Sequence, residues 1–147
     1  MISEKIIRNE SLLRRSKIYS WEQIKKHTPR GIAPTDIEGA YEVNRHFLFL
    51  EFKTEGVEMP LGQRLFYRRL LEALSGSGMV FVCEHAGLGL RTVPLGDTTT
   101  VCAWSMNFET RKVPTKDTDL GWLISEWAAW AEKRESQFFH WLMENRQ

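Results

Sequence analysis

Three charged residues have types and a spacing suited to chemistry on a phosphate group. Glu51 and Lys53 end an apolar run over residues 46–53, and because side chains alternate along a strand, both project to one face. Asp36 stands ahead of a turn signal at 44–45. If the strands flanking that turn pair antiparallel, position 36 falls near position 53. The sequence therefore predicts two carboxylates and an amine at one end of a sheet.

Such a group suits a hard divalent cation. Enzymes hold Mg²⁺ or Mn²⁺ with one or two carboxylates, waters and substrate phosphate oxygens. A cation on Asp36 and Glu51 would activate a bound water and polarise a phosphorus–oxygen bond, while Lys53 orients the nucleophile and offsets phosphoryl charge. This chemistry is phosphodiester hydrolysis. The alternative is an ordinary ion pair of Glu51 with Lys53, worth at most about 1 kcal/mol where exposed, with Asp36 only a turn acid.

Hydrophobic patterning predicts the strands that position this group. Residues 35–43 have the pattern of a strand that leads into a tight turn at Asn44-Arg45. Residues 46–53 are almost continuously apolar, which is typical of a strand buried on both faces whose charged end emerges at a sheet edge. Short apolar runs at 79–83 and 98–106 predict two further strands.

A helix is predicted over residues 61–74, between two of these strands. Gln63 shares the apolar, sheet-facing side of this helix, while Arg64 and Arg68 lie on the other side. Strand, helix and strand in succession form a crossover unit. We therefore expect an α/β fold, in a single domain over residues 1–147.

Both ends of the chain are predicted to be helical. Two short helices open the fold, one within 3–17 and one from residue 21, before Pro and Gly residues at 29–34. Asp117-Thr118-Asp119 supplies N-cap oxygens for a long C-terminal helix from about residue 120 to 145.

The final segment is crowded with aromatic residues. Residues 120, 124, 127, 131 and 138 fit one core-facing stripe, whereas Trp122, Trp130 and Trp141 lie partly off it. These three tryptophans pack in the core, form a homodimer contact, or offer a stacking platform for bases.

The acidic and basic residues resemble a known signature. Pro34-Thr35-Asp36, then Glu51-Phe52-Lys53, and then Gly62-Gln63 on the next helix resemble the motif of the PD-(D/E)XK nuclease superfamily. The resemblance is closest to the small VRR-NUC and Holliday-junction-resolvase-like branches, often found in phages and mobile elements. It covers about residues 20–85, with Thr35 inserted into the motif. It implies a restriction-endonuclease-like core, a central mixed β-sheet flanked by helices.

The resemblance also implies roles for individual residues. Asp36 and Glu51 would bind Mg²⁺ or Mn²⁺, and the Phe52 carbonyl would add a ligand. Lys53 would assist the attacking water, and Gln63 would orient the group or the DNA. Many members carry a further acid on the first helix, for which Glu10 and Glu22 are the candidates in this chain.

The charge distribution favours a polyanionic partner. Residues 1–30 hold eight basic and three acidic residues, a net charge of +5, although the whole chain has only +1. Clustered cations gain free energy when counterions leave the phosphates. We expect five residues to hold the DNA backbone: Lys25, Lys26, Arg30, Arg64 and Arg68. A solvated helical face is the alternative for the basic N-terminal region.

Several classes of protein are not expected. The longest uncharged stretch near a strand is 73–83, short of the roughly 18–20 residues that cross a bilayer, and charge at Glu4 argues against a secretory signal. Cys83 and Cys102 lack metal-ligand spacing and indicate a reducing compartment, the cytoplasm of a bacterial or phage-infected host cell. Gly87-Leu88-Gly89 lacks the further glycine of a dinucleotide loop.

These observations predict a small Mg²⁺- or Mn²⁺-dependent deoxyribonuclease whose preferred DNA structure is left open. A rival prediction is a catalytically inactive nuclease-fold module that binds DNA or protein, such as a phage accessory factor. A third is a structural domain with an accidental motif, in which Asp36 and Glu51 lie far apart. A homodimer through the C-terminal tryptophan-rich helix is compatible with the first two.

Overall fold

The chain divides into two units, Met1–Thr35 and Asp36–Gln147. The computed structural model describes residues 22–31, 34–85, 99–107, 109–114 and 119–147. In the first unit, helix α1 spans Glu22–Lys25 and a short 3₁₀ turn spans Pro29–Gly31. The predicted helix within 3–17 and the candidate acid Glu10 lie outside the described residues.

A mixed β-sheet organises the second unit. Its strands are β1 Gly39–Val43, β2 His46–Thr54, β3 Gly78–His85, β4 Thr99–Trp104 and the two-residue β5 Val113–Pro114. They lie side by side in chain order, with β2 and β3 parallel and the other neighbouring pairs antiparallel. The predicted mixed sheet is confirmed.

A tight turn at Asn44 and Arg45 joins β1 to β2. Their φ angles of 49° and 66° are both left-handed, as a two-residue type I′ hairpin turn requires. Gly39 pairs with Leu50, which is the register predicted from the turn. The strand nevertheless begins four residues later than expected, so Asp36 precedes it in an irregular, exposed segment.

Helix α2, Leu61–Ala73, connects β2 to β3. It ends before Ser75 and Gly76, whose left-handed φ angles of 49° and 87° stop the helix. This strand–helix–strand order confirms the predicted crossover, and with it the α/β class.

Hydrophobic cores cover both faces of the sheet. Leu48 and Leu50 of β2 belong to a core that includes residues of helix α3, Leu120–Ala131, and helix α4, Phe138–Asn145. Phe49 of the same strand belongs to a second core with residues of α2.

The second core fixes where the predicted site lies. Because side chains alternate along β2, Glu51 and Lys53 follow Phe49 on the face covered by α2. The same face receives the side chains of Val82 and Cys102 from β3 and β4. The candidate chemistry therefore lies between the sheet and helix α2.

The C-terminal segment is two helices, so the prediction of one long helix over 120–145 is wrong. Lys133 adopts a left-handed φ of 58° after the end of α3. The N–H groups of Lys133 and Arg134 donate to the carbonyls of Trp130 and Ala129 at 3.0 and 2.8 Å. This Schellman arrangement ends a helix, and here it does so without the glycine that usually marks it.

Glu126 of α3 also holds the start of α4. Its backbone carbonyl accepts a hydrogen bond from Ser136 Oγ at 2.7 Å, and its carboxylate accepts one from the Gln137 N–H at 2.6 Å. Ser136 Oγ in turn accepts from the Phe138 N–H at 3.0 Å. Hydrogen bonds of side chains therefore connect the two helices, in addition to the covalent link between them.

The break changes which tryptophans are buried. Trp127 and Trp141 are 1% and 6% exposed, whereas Trp122 is 39% exposed. Trp141 was expected partly off the core-facing stripe, and of its three alternatives core packing is confirmed, because α4 starts a new helical phase that turns this residue inward, onto the Phe138 ring. Among the helices that the structure describes, none has the length and apolar character needed to cross a bilayer.

Candidate active site

Glu51 is the buried centre of a polar cluster near the end of β2. Only 2% of it is exposed. Its Oε1 accepts a hydrogen bond from Gln63 Nε2 at 2.7 Å and lies 3.0 Å from Lys53 Nζ. Its Oε2 accepts from the Tyr67 hydroxyl at 2.8 Å. Each carboxylate oxygen thus has a protein donor, as a buried charge requires.

Two elementary periodicities assemble this cluster. A step of two along β2 puts Lys53 beside Glu51 on one face. A step of four along α2 puts Gln63 and Tyr67 on one side of the helix, turned toward that face. Helix α2 therefore supplies both neutral donors, and β2 supplies the ion pair.

Tyr67 was not among the predicted site residues, and its hydroxyl role was missed. It is fully buried. Burial, together with the hydrogen bond to Glu51 and that residue's negative charge, holds the pKa of the Tyr67 hydroxyl well above its usual value. The phenol therefore stays protonated and remains a donor to Glu51. The four-residue spacing from Gln63 was the sequence signal that pointed to it.

Asp36 does not join the cluster in the described part of the chain. Its side chain is exposed, and β1 begins only at Gly39. The antiparallel register that would place position 36 opposite Lys53 therefore stops short of it. Among described contacts, its carboxylate meets neither Glu51 nor Lys53.

Glu38 occupies the approach to the site instead. Its Oε2 accepts a hydrogen bond from the Phe52 backbone N–H at 2.5 Å. Its charge also contributes to the raised pKa of the Tyr67 hydroxyl, which places it near the cluster. The hairpin register could have predicted Glu38 near the site, because the register that pairs Gly39 with Leu50 brings position 38 opposite Glu51. Phe52, the predicted carbonyl ligand, is thus engaged through its N–H.

The donor set suits a cation that the substrate would help to hold. No group of three or more His, Cys, Asp or Glu side chains suited to a metal ion occurs in the described residues. Mg²⁺ needs only one or two carboxylates, since it keeps waters and takes phosphate oxygens. Glu51 and one acid from Glu38 or Asp36 would meet that number. For Glu51 to act as a ligand, Lys53 must first leave Oε1.

A second ion pair lies next to Lys53. Glu84 of β3 pairs in register with Lys53, and its carboxylate contacts the ammonium of Lys112. The hydrogen bond that Lys112 donates to the Glu84 carboxylate raises the pKa of Lys112. A cavity of about 110 Å³ lies among Lys53, Glu84, Lys112 and Arg64. The cluster around Glu51 therefore borders an opening lined with mixed charge.

The predicted phosphate-binding residues fall in both units. Arg64 and Arg68 are exposed on α2. Both line a second cavity, which is larger than the one beside Lys53. Lys25 ends α1, and Lys26 and Arg30 are exposed, all three in the unit Met1–Thr35. The side chain of Glu22 is not described.

Comparison with known proteins gives no relative: no family model, no curated protein and no solved structure matches this chain.

Proposed function

We propose that this protein is a Mg²⁺- or Mn²⁺-dependent endonuclease that hydrolyses DNA phosphodiester bonds, with a preference for DNA structure rather than sequence. The observation that supports it is the cluster of Glu51, Lys53 and Gln63 near the end of a strand, beside an opening that Arg64 and Lys112 line. The Lys53 ammonium, 3.0 Å from Glu51 Oε1, can offset negative charge on phosphoryl oxygens, and the Glu51 carboxylate is an oxygen ligand of the kind that a hard cation takes.

In this proposal the cation, once bound, supplies water activation and neutralises phosphoryl charge. Glu51 would be its ligand, with either Glu38 or Asp36 as the second acid. Lys53 would orient the attacking water once it is free of Glu51 Oε1. Gln63 and Tyr67 fix the rotamer of Glu51, so they are positioning residues.

Cleavage assays on branched, single-stranded and duplex DNA in Mg²⁺ and Mn²⁺ test the site. We expect Glu51→Gln and Lys53→Gln each to lower the cleavage rate at least about a hundredfold, as removal of one preorganised charged group does in other enzymes. Glu55→Gln is the matched control, because Glu55 is an exposed acid just beyond β2.

Two results oppose the assignment. Equal cleavage by wild type and Glu51→Gln would show that Glu51 is not part of the active site. Cleavage that persists in EDTA would show that the reaction needs no divalent cation. Thermal unfolding of each variant shows whether a lost rate reflects lost structure, and Lys53→Gln, at an 18% exposed side chain, is the variant better suited to folding normally.

A second candidate is a module with this fold that binds DNA or a protein without cutting, such as a phage accessory factor. One observation favours it: Glu51 is 2% exposed and each of its oxygens already has a protein donor, as in a structural ion pair. Calorimetry separates the two. Mn²⁺ uptake that Glu51→Gln abolishes supports the enzyme, whereas no uptake together with a stable partner complex supports the module.

We further propose that the protein acts in the cytoplasm of a bacterial or phage-infected cell and forms a homodimer through its C-terminal helices. A resolvase activity would need two sites and hence a dimer. Of the tryptophans there, Trp122 is the most exposed, since Trp130 is half-buried against the core and Trp127 and Trp141 are buried. Sedimentation of wild type and Trp122→Ala tests the contact.

A further inference from the structure

Two cavities adjoin on the α2 face of the sheet, leading away from Glu51. The smaller, about 110 Å³, is bordered by Lys53, and the larger, about 310 Å³, by Arg68 and Asn107. Arg64 and Trp104 line both. The larger cavity therefore lies next to the smaller one, which Lys53 of the proposed cleavage site borders.

The larger cavity offers three kinds of surface. Trp104 and Met106 give it an apolar wall. Arg64 and Arg68, one helical turn apart on α2, give it two guanidinium groups. The Arg64 guanidinium carbon lies 5.8 Å from the centre of the Trp104 ring, so the cation rests against the aromatic wall. Leu71, Ser105, Asn107 and the carboxylates of Glu72 and Glu109 complete the lining.

This combination favours a nucleotide over simpler ligands. A bare anion would meet the carboxylates of Glu72 and Glu109, and a wholly apolar ligand would meet the two arginines. A nucleotide has a phosphate for the arginines, a flat ring for Arg64 and Met106, and ring-edge amino groups for Asn107 and the carboxylates. The volume is at the low end of small-ligand sites, so it suits one nucleotide and not a base pair.

We propose that this cavity binds an unpaired nucleotide of the DNA strand that is cut at the Glu51 cluster. The inference rests on the proposed nuclease function and narrows its substrate class to DNA with a single-stranded stretch beside the cleaved bond. Arg64 and Arg68 hold the phosphate, and the base lies on the Arg64 plane that Trp104 supports.

Binding in EDTA tests the cavity without cleavage. Fluorescence anisotropy compares a single strand of about 12 nucleotides, an abasic strand of the same length and charge, and a blunt duplex. We expect wild type to bind the normal strand about tenfold more tightly than the abasic one, because base stacking is lost in the latter. Arg64→Gln should remove most of that difference, whereas Arg68→Gln should weaken the binding of both strands alike, and each should lower the salt slope by about 0.7.

Arg69→Gln is the matched control, since Arg69 is an exposed arginine of α2 outside the lining of both cavities. Equal affinity for the normal and abasic strands would overturn the nucleotide site, and so would equal losses in Arg64→Gln, Arg68→Gln and Arg69→Gln.

The two proposals fail in different ways. A protein that binds the normal strand as expected but never cuts would defeat the nuclease proposal alone. A protein that cuts paired duplex DNA, with rates unchanged in Arg64→Gln and Arg68→Gln, would defeat the nucleotide site alone. The comparison of normal and abasic strands on wild type tests the nucleotide site even if a variant unfolds.

Discussion

Gln63 Nε2 lies 2.7 Å from Glu51 Oε1, so one side-chain hydrogen bond joins helix α2 to the strand that bears the proposed catalytic pair. Glu51 is buried, and a buried carboxylate that loses a donor retains an uncompensated lone pair. We expect Gln63→Leu to lower the free energy of unfolding by about 1–3 kcal/mol. Urea unfolding measures it, with the exposed Arg69→Leu as control; equal effects would mean that the bond contributes nothing specific.

Tyr67→Phe tests the other oxygen of the same carboxylate. The change removes the hydroxyl donor to Oε2 and keeps the ring, so the loss should be about 1.5–3 kcal/mol, the range for hydrogen bonds to charged groups. Tyr41→Phe is the control, because Tyr41 is 46% exposed. Unfolding free energies that are the same for both variants would show that the buried hydroxyl does not support Glu51.

The raised pKa of Tyr67 also predicts a dependence on alkaline pH. The folded state keeps the phenol protonated, while the unfolded state loses its proton near the usual pKa of 10.0. The contribution is therefore complete below pH 10 and is lost as the pH rises toward the higher folded value. The stability gap between wild type and Tyr67→Phe should narrow above pH 10, and a constant gap would contradict this.

Glu38 and Asp36 can be ranked as the second acid. Both side chains are exposed and both precede β1, but Glu38 accepts a hydrogen bond from the Phe52 N–H and its charge contributes to the raised pKa of Tyr67. We expect Glu38→Gln to lower the cleavage rate at least about tenfold more than Asp36→Asn, a difference of about 1.4 kcal/mol in activation free energy. The reverse order would return the role to Asp36.

A substitution at Lys133 tests the break between α3 and α4. The sign of its effect on the free energy of unfolding differs between a broken and a continuous helix. At a left-handed C′ position, Lys133→Gly relieves backbone strain and should raise the free energy of unfolding by up to about 1 kcal/mol. In a continuous helix the same change would lower it by about 1 kcal/mol. Lys133→Ala, which retains the strain, serves as control and should change little.

Much of the sheet was predictable because its signals are local. The Asn44-Arg45 turn and the apolar run of β2 set the hairpin register, and the two periods of strand and helix brought Glu51, Lys53 and Gln63 together. The start of β1 was not predictable in this way. Just before that start, the Glu38 carboxylate accepts a hydrogen bond from the Phe52 N–H, a side-chain contact that the strand pattern over 35–43 does not report.

The C-terminal errors have a different cause. Helix α3 ends through backbone hydrogen bonds around Lys133, a residue type that ordinarily continues a helix. Because neither Gly nor Pro stands there, the hydrophobic pattern over 120–145 predicts one continuous helix. That prediction put Trp141 partly off the core-facing stripe, whereas Asp119 did mark the start of α3, with its carboxylate on the Gly121 N–H at 2.5 Å.

The double use of Glu126 has a consequence for how this domain opens. Separating α4 from α3 would leave the Ser136 hydroxyl and the Gln137 amide without their acceptors at the same moment. The two helices should therefore loosen together rather than fray one after the other, and the sheet face beneath them would be uncovered in one cooperative event.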